Sequence, residues 1–197
     1  MLFDAAVASL LVGRLCGGRF TRLGDLQIRL AWAIIAGFAL QAALMTATMI
    51  AYPPAIRYSG GVHLVSYLFL FAGLWANRRR RAFQVAALGV VLNFLVVASN
   101  GGHMPANLEA VRRTQPGMVQ ALVEGRSGKH VVMGPHTRLA FLADRYLLPR
   151  PYPRPGVFSP GDVLITIGVC ALILAGMGAF GLRPPAPAQE RAGPAAK

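Results

Sequence analysis

The sequence predicts an all-α integral membrane protein, a helical bundle of five transmembrane helices with a long, partly ordered outer loop between helices four and five. Three observations carry that prediction. Of 197 residues, 55% are hydrophobic and only 14% charged, whereas about a quarter of an ordinary soluble domain is charged. The apolar residues gather in runs of the length a bilayer requires, about 17 residues or more. The cations, which give a formal charge of +13, lie at the ends of those runs. Arg14, Arg19, Arg22 and Arg29 bracket one short connection, and Arg78 to Arg81 form another. A nucleic-acid surface would interleave basic and aromatic residues on a soluble face. The distribution therefore selects the lipid bilayer as partner and no nucleic acid.

The first expected span, residues 2–18, is apolar apart from Asp4 and Arg14. A secretory signal wants positive charge ahead of its apolar core, and Asp4 stands there instead, so the segment reads as a retained helix. The second, 30–52, has Trp32 and Tyr52 near its two ends as interfacial anchors. Pro53 and Pro54 stop it, because proline lacks the N–H and clashes with the preceding turn. Gly60 and Gly61 open the third span, 61–76, which runs to Trp75 and the block Asn77 to Arg81. The fourth, 82–99, carries Asn93 and ends at Asn100, Gly101 and Gly102, residue types that tolerate the left-handed conformation of a helix stop. The fifth, 162–181, follows Ser159, Pro160, Gly161 and Asp162: a serine cap, a proline in the first turn and an acid that answers cap and dipole. Together, residues 1–182 form one membrane domain. Residues 183–197, rich in proline and alanine, read as a disordered cytoplasmic tail.

Arginine in short connections favours the cytoplasmic side. With both arginine-rich connections inside, five spans put the N-terminus outside and Arg183, Arg191 and Lys197 inside, in a bacterial cytoplasmic (inner) membrane. The loop, 100–159, is too long to vote on orientation. Asn107 begins a short helical pattern, Pro116 another, and residues 139–148 suit a helix lying flat on the membrane. Pro149, Pro151, Pro153 and Pro155 suit an extended return strand.

Asn93 and Asn100 lie seven residues apart, on one helix face. Amides at that depth bond across helices, with Gln41 or Ser66 as available partners. Asp144 and Asp162 both fall on the outer side. Two carboxylates brought together share a proton, which supplies an acid and a base for water. Helix capping by Asp162 and pairing of Asp144 with Arg138 or Arg145 account for the same acids without chemistry. His63, His103, His130 and His136 show no three- or four-residue spacing on a helix, so they read as solvated, with no metal and no cofactor implied. Cys16 and Cys170 read as small buried hydrophobes rather than a disulfide.

Two resemblances follow from these residues. Asp144-Arg145 and the run from Phe158 to Val169 are similar to the catalytic end of the lipoprotein signal peptidases, which implies a membrane aspartyl peptidase with Asp144 and Asp162 as its acids. Pro160 stands where that family has asparagine, and its Gly-Asn segment before the other aspartate is absent. More of the chain, in Asn100-Gly101-Gly102-His103-Met104-Pro105, Lys129-His130-Val131, Thr137 to Asp144, and Gly161-Asp162-Val163-Leu164, resembles a family of small bacterial multi-pass membrane proteins known only as a domain of unknown function. Ala140 and Ala143 replace an expected proline and glycine. The expectation drawn here is a non-enzymatic membrane protein. Asn93, Asn100, Thr137, Arg138, Asp144 and Asp162 form its polar cluster at the outer face, for a small ligand or a membrane or extracytoplasmic protein partner. The aspartyl peptidase is the alternative.

Overall fold

The computed structural model describes residues 1–182. The expected tail, with Arg183, Arg191 and Lys197, lies outside the described residues. Among the described residues, four helices are long and apolar enough to cross a membrane. These are α3 (Ala31–Met49), α5 (Ser59–Ala76), α6 (Arg81–Ser99) and α9 (Pro160–Met177). Only 22% to 39% of each is buried, so most of their apolar side chains face outward, as in lipid and unlike a soluble core. The first helix, α1 (Leu2–Leu15), is shorter than expected. Gly17 adopts φ +83° and Gly18 closes back on the Gly13 carbonyl, ending the helix after 14 residues, roughly 21 Å against the roughly 30 Å of a hydrocarbon core.

Shorter pieces among the described residues are α2 (Thr21–Gly24), α4 (Pro53–Arg57), and, between α6 and α9, α7 (Leu108–Thr114) and α8 (Val119–Val123) with strands β1 (Met104–Ala106), β2 (His130–Val132), β3 (Tyr146–Leu148) and β4 (Gly156–Phe158). The long helices form an open arc in which α3 packs on α5, α5 on α6, α6 on α9 and α9 on α1. Glycines set the close approaches. A Cβ on Gly37 would meet Leu70, one on Gly73 would meet Ile34, and one on Gly168 would meet the backbone of Ala82 and Ala86. Such small-residue contacts let helix backbones approach closely enough for dispersion to hold them, the packing used between membrane helices. Tyr67, Phe71 and Phe94 fill the α5–α6 seam with ring centroids 5.1–6.3 Å apart. At the arginine-rich end, Asn77 ties the two connections together, accepting from Arg29 N (3.0 Å) and donating to the carbonyls of Arg29 and Gly73.

The other end is covered by residues 100–159, a cap of mixed structure. β1 and β2 run parallel, pairing Met104 with His130, and β3 and β4 form an antiparallel pair. Asn107 caps α7 by accepting from Ala110 N (2.9 Å). Two expectations change. Residues 139–148 are not a surface helix: Leu139 sits at φ +53°, a one-turn 3-10 segment follows, and β3 begins at Tyr146. The proline cluster is the turn of the β3–β4 hairpin rather than a single return strand. Both changes have one cause, since Tyr146 pairs with Phe158 across the hairpin and stacks on it at 5.7 Å. Tyr152 Oη donates to Asp4 Oδ2 (3.1 Å), fixing the turn to α1.

Candidate functional site

Beneath the cap, on the concave side of the arc, lies a cavity of about 370 Å³. Gln41 on α3, His63 and Tyr67 on α5, and Asn93 and Asp162 on α6 and α9 form its polar wall; Lys129, His130 and Asp144 descend from the cap. Its floor is apolar, formed by Phe38, Leu70, Val90 and Ile165.

The start of α9 places Asp162. Ser159 Oγ accepts from Asp162 N (3.1 Å), and Asp162 Oδ2 accepts from Ser159 N (3.0 Å), the reciprocal box expected from the sequence. Asn93 locks the box to α6: its Nδ2 donates to Asp162 Oδ1 (2.9 Å) and its Oδ1 accepts from Ser159 Oγ (2.9 Å). Asn93 therefore bonds to α9, not to Gln41 or Ser66. Both carboxylate oxygens of Asp162 are engaged.

Asp144 is placed by its own backbone. Its N–H donates to Pro105 O (3.1 Å), and its carbonyl accepts from Asn107 N (2.9 Å). The side chain, 9% exposed, points down, with Oδ2 3.3 Å from His130 Nε2. Neither Arg138 nor Arg145 is its partner. Oδ1 is buried with no hydrogen-bond partner among the described residues. A second such atom is His63 Nε2. His63 is 1% exposed, which overturns its reading as solvated. Its Nδ1 lies 2.9 Å from Gly102 O; a carbonyl only accepts, so Nδ1 carries the hydrogen and a neutral Nε2 is left an acceptor. Buried polar atoms are normally satisfied, and these two, without a partner among the described residues, belong to residues that line the same cavity.

Lys129 enters from the loop before β2. Gly128 packs directly on Leu44 and Thr48, and its N–H donates to Thr48 Oγ1 (3.2 Å), so the chain dips into the bundle. Lys129 Nζ donates to Gln41 Oε1 (3.0 Å), Gln41 Nε2 to Ser66 Oγ (3.0 Å), and Ser66 Oγ to His63 O (2.6 Å). Burial lowers the Lys129 ammonium from its ordinary range, while Asp144 and Asp162 oppose that drop.

The six residues expected as one cluster fall into two groups. Asn93, Asp144 and Asp162 line the cavity. Asn100 instead clasps the backbone of Arg138, donating to its carbonyl and accepting from its N–H, both at 3.0 Å. Thr137 Oγ1 accepts from Gly134 N (2.9 Å). These two and Arg138 shape the cap. Sequence reasoning missed His63, Gln41, Lys129 and His130 as lining residues. One signal was available, since Lys129 and Lys197 are the lysines in a chain whose other cations are arginine. Lysine can shed its charge on burial and arginine cannot. Among the described residues, no three His, Cys, Asp or Glu side chains are placed to hold a metal.

His103 supports the cap from outside the cavity, with Nε2 2.9 Å from Ser59 Oγ. Burial holds its pKa below the ordinary histidine value of 6.5. The folded chain then binds fewer protons than the unfolded one below that value, so stability is full above pH 6.5 and falls as acid is added. We predict that the Tm of the protein in lipid nanodiscs drops as the pH falls below about 6.5, and that His103→Gln flattens part of that slope. A profile identical in wild type and variant would exclude His103 as a contributor.

A family model described as "Family of unknown function (DUF5317)" matches residues 25–174. That stretch holds every cavity residue except Met1 and Leu2. An uncharacterized protein of Thermotoga maritima is 31% identical over 105 residues, covering 53% of this chain and 58% of that protein. No solved structure matches the chain.

Proposed function

The chain belongs to DUF5317, a family of unknown function, and from that premise we propose a non-enzymatic, ligand-binding protein of the bacterial inner membrane. In this reading α1 joins the four long helices as a fifth, short span, and residues 1–182 act as one membrane domain. The arginine-rich end faces the cytoplasm and the cap faces outward, which sets the N-terminus outside and the C-terminus inside. The ligand sits in the capped cavity, and a bound ligand or an extracytoplasmic partner acts through the cap. The observation that supports the reading is a pair of buried acceptors with no partner among the described residues, Asp144 Oδ1 and His63 Nε2, on two residues that line one cavity of about 370 Å³. Pockets of a few hundred Å³ with a few convergent polar groups are the usual form of a small-molecule site.

A primary amine is the simplest donor for a carboxylate oxygen, so n-butylamine serves as the probe. In nanodiscs, titration should show binding that Asp144→Asn weakens about tenfold to a hundredfold, the range of a hydrogen bond to a charged group. Equal binding by both proteins would sink the reading.

The peptidase reading has one observation in its favour, since Asp144 and Asp162 line the same cavity. A dyad needs an oxygen on each acid free for water, and both oxygens of Asp162 hold its own helix start and Asn93. Ligand binding is therefore the stronger reading. Cleavage of a membrane substrate that is lost in both Asp144→Asn and Asp162→Asn, at unchanged protein level, would reverse that preference.

A further inference from the structure

Below the polar cavity lies a second one of about 150 Å³, nearer the arginine-rich end. Ile34, Leu74, Phe83, Ala86, Val169 and Leu172 line it, and no polar side chain does. Phe38, Leu70, Val90 and Ile165, the floor of the upper cavity, are also the ceiling of the lower one. The two therefore share an apolar partition. An apolar cavity of this volume gives water no hydrogen-bond partner and suits a hydrocarbon. Along α6 the lower cavity extends from Val90 to Ala82, roughly 12 Å at the rise of a helix.

The open side of the arc matters equally. α3 and α9 line the lower cavity from opposite sides but have no extended packing on each other. A chain seated there has a lateral way to the bilayer between them. Only a molecule with a donor at one end and hydrocarbon behind it satisfies both cavities together. We propose that the ligand is a single-chain amphiphile with a primary amine or alcohol head. An ammonium head donates to both Asp144 Oδ1 and His63 Nε2, an alcohol head, with its single hydrogen, to one of them, and the chain passes between Phe38 and Ile165 into the apolar cavity. This rests on the ligand-binding reading above and names the ligand class.

Binding is measured on the full chain in nanodiscs by displacement of a decylamine probe that carries a photoreactive group on its chain, with labelled peptides mapped by mass spectrometry. The competitors are decylamine, decanol, decanoate and butylamine. Val169→Phe, which lines only the lower cavity, and Asp144→Asn complete the set, each checked for an unchanged Tm. The proposal expects decylamine or decanol to bind at least roughly thirtyfold tighter than butylamine, because burying two or three of the six additional methylenes in the lower cavity already gives that factor. Labelling should map to peptides containing Phe38 or Ile165. Val169→Phe should abolish the chain-length gain, and Asp144→Asn should abolish the preference over decanoate. A preference for amine over alcohol assigns the head to a cation, and equal binding assigns it to a neutral donor; both support the proposal. If butylamine equals decylamine and Val169→Phe changes nothing, the amphiphile is overturned while the polar cavity stands. If no amine or alcohol competes, or decanoate binds best, both readings fall.

Discussion

Gly161→Leu is expected to abolish the folded protein, and Gly161→Ala to destabilise it by at least about 3 kcal/mol, at or above the upper end of ordinary overpacking costs. Gly161 stands where α6 and α9 touch backbone to backbone. A Cβ there would strike Asn93 Oδ1 and lie 2.7 Å from Gly89 O. Reciprocally, a Cβ on Gly89 would strike Gly161 O and lie 2.8 Å from Ile165 N. Neither neighbour is the loose end of a flexible chain. Relief requires the helices to part, and that also pulls Asn93 from Ser159 and Asp162. The check is the yield and Tm of purified variants, beside Gly61→Ala. Gly61 has open space around it, so a methyl there should stabilise α5 by about 0.5–1 kcal/mol. If Gly161→Ala melts like the wild type, α6 and α9 are not in contact as described.

Asn93→Leu is expected to cost about 3 kcal/mol or more, because it strips two buried groups at once. Asp162 Oδ1 loses its donor and Ser159 Oγ loses its acceptor. An unsatisfied buried polar group costs about 1–3 kcal/mol, and a charged one more. Asn93→Asp should be at least as damaging, since it faces one carboxylate with another. The double variant Asn93→Asp with Asp162→Asn should recover most of the loss. The amide introduced at position 162 can donate to the new carboxylate and still accept from Ser159 N, so the donors and acceptors match again. A double-mutant cycle on Tm isolates that coupling. Additive losses in the double variant would show that the two side chains do not meet.

Much of the frame was legible because it depends on short-range rules. The apolar runs and their stops at Pro53, Gly101 and the arginine blocks marked four long helices within a few residues of their ends. The capping box at Ser159 and Asp162 was readable for the same reason, since it is complete within four consecutive residues. Where side chains had to choose a distant partner, the expectation failed. Asn100 and Arg138 were set beside Asp162 as one cluster, yet Asn100 commits its amide to the Arg138 backbone. Residues 139–148 have a pattern that suits a flat helix, but pairing of β3 with β4 overrode it.

His63 shows the division most clearly. On one sequence it is a histidine near a helix start, indistinguishable from a solvated one. In the fold, the Gly60–Gly102 contact brings the loop backbone onto α5, so Gly102 O takes the Nδ1 hydrogen and His63 becomes a buried lining residue of the cavity. Lys129 is similar, for its loop reaches Gln41 across 88 positions of chain. By itself the sequence determined where apolar helices start and stop, because hydrophobic runs, caps and breakers act over one or two turns. Which polar groups face one another was decided only by tertiary structure, because burial and hydrogen bonding depend on which distant backbones the glycines allow to meet.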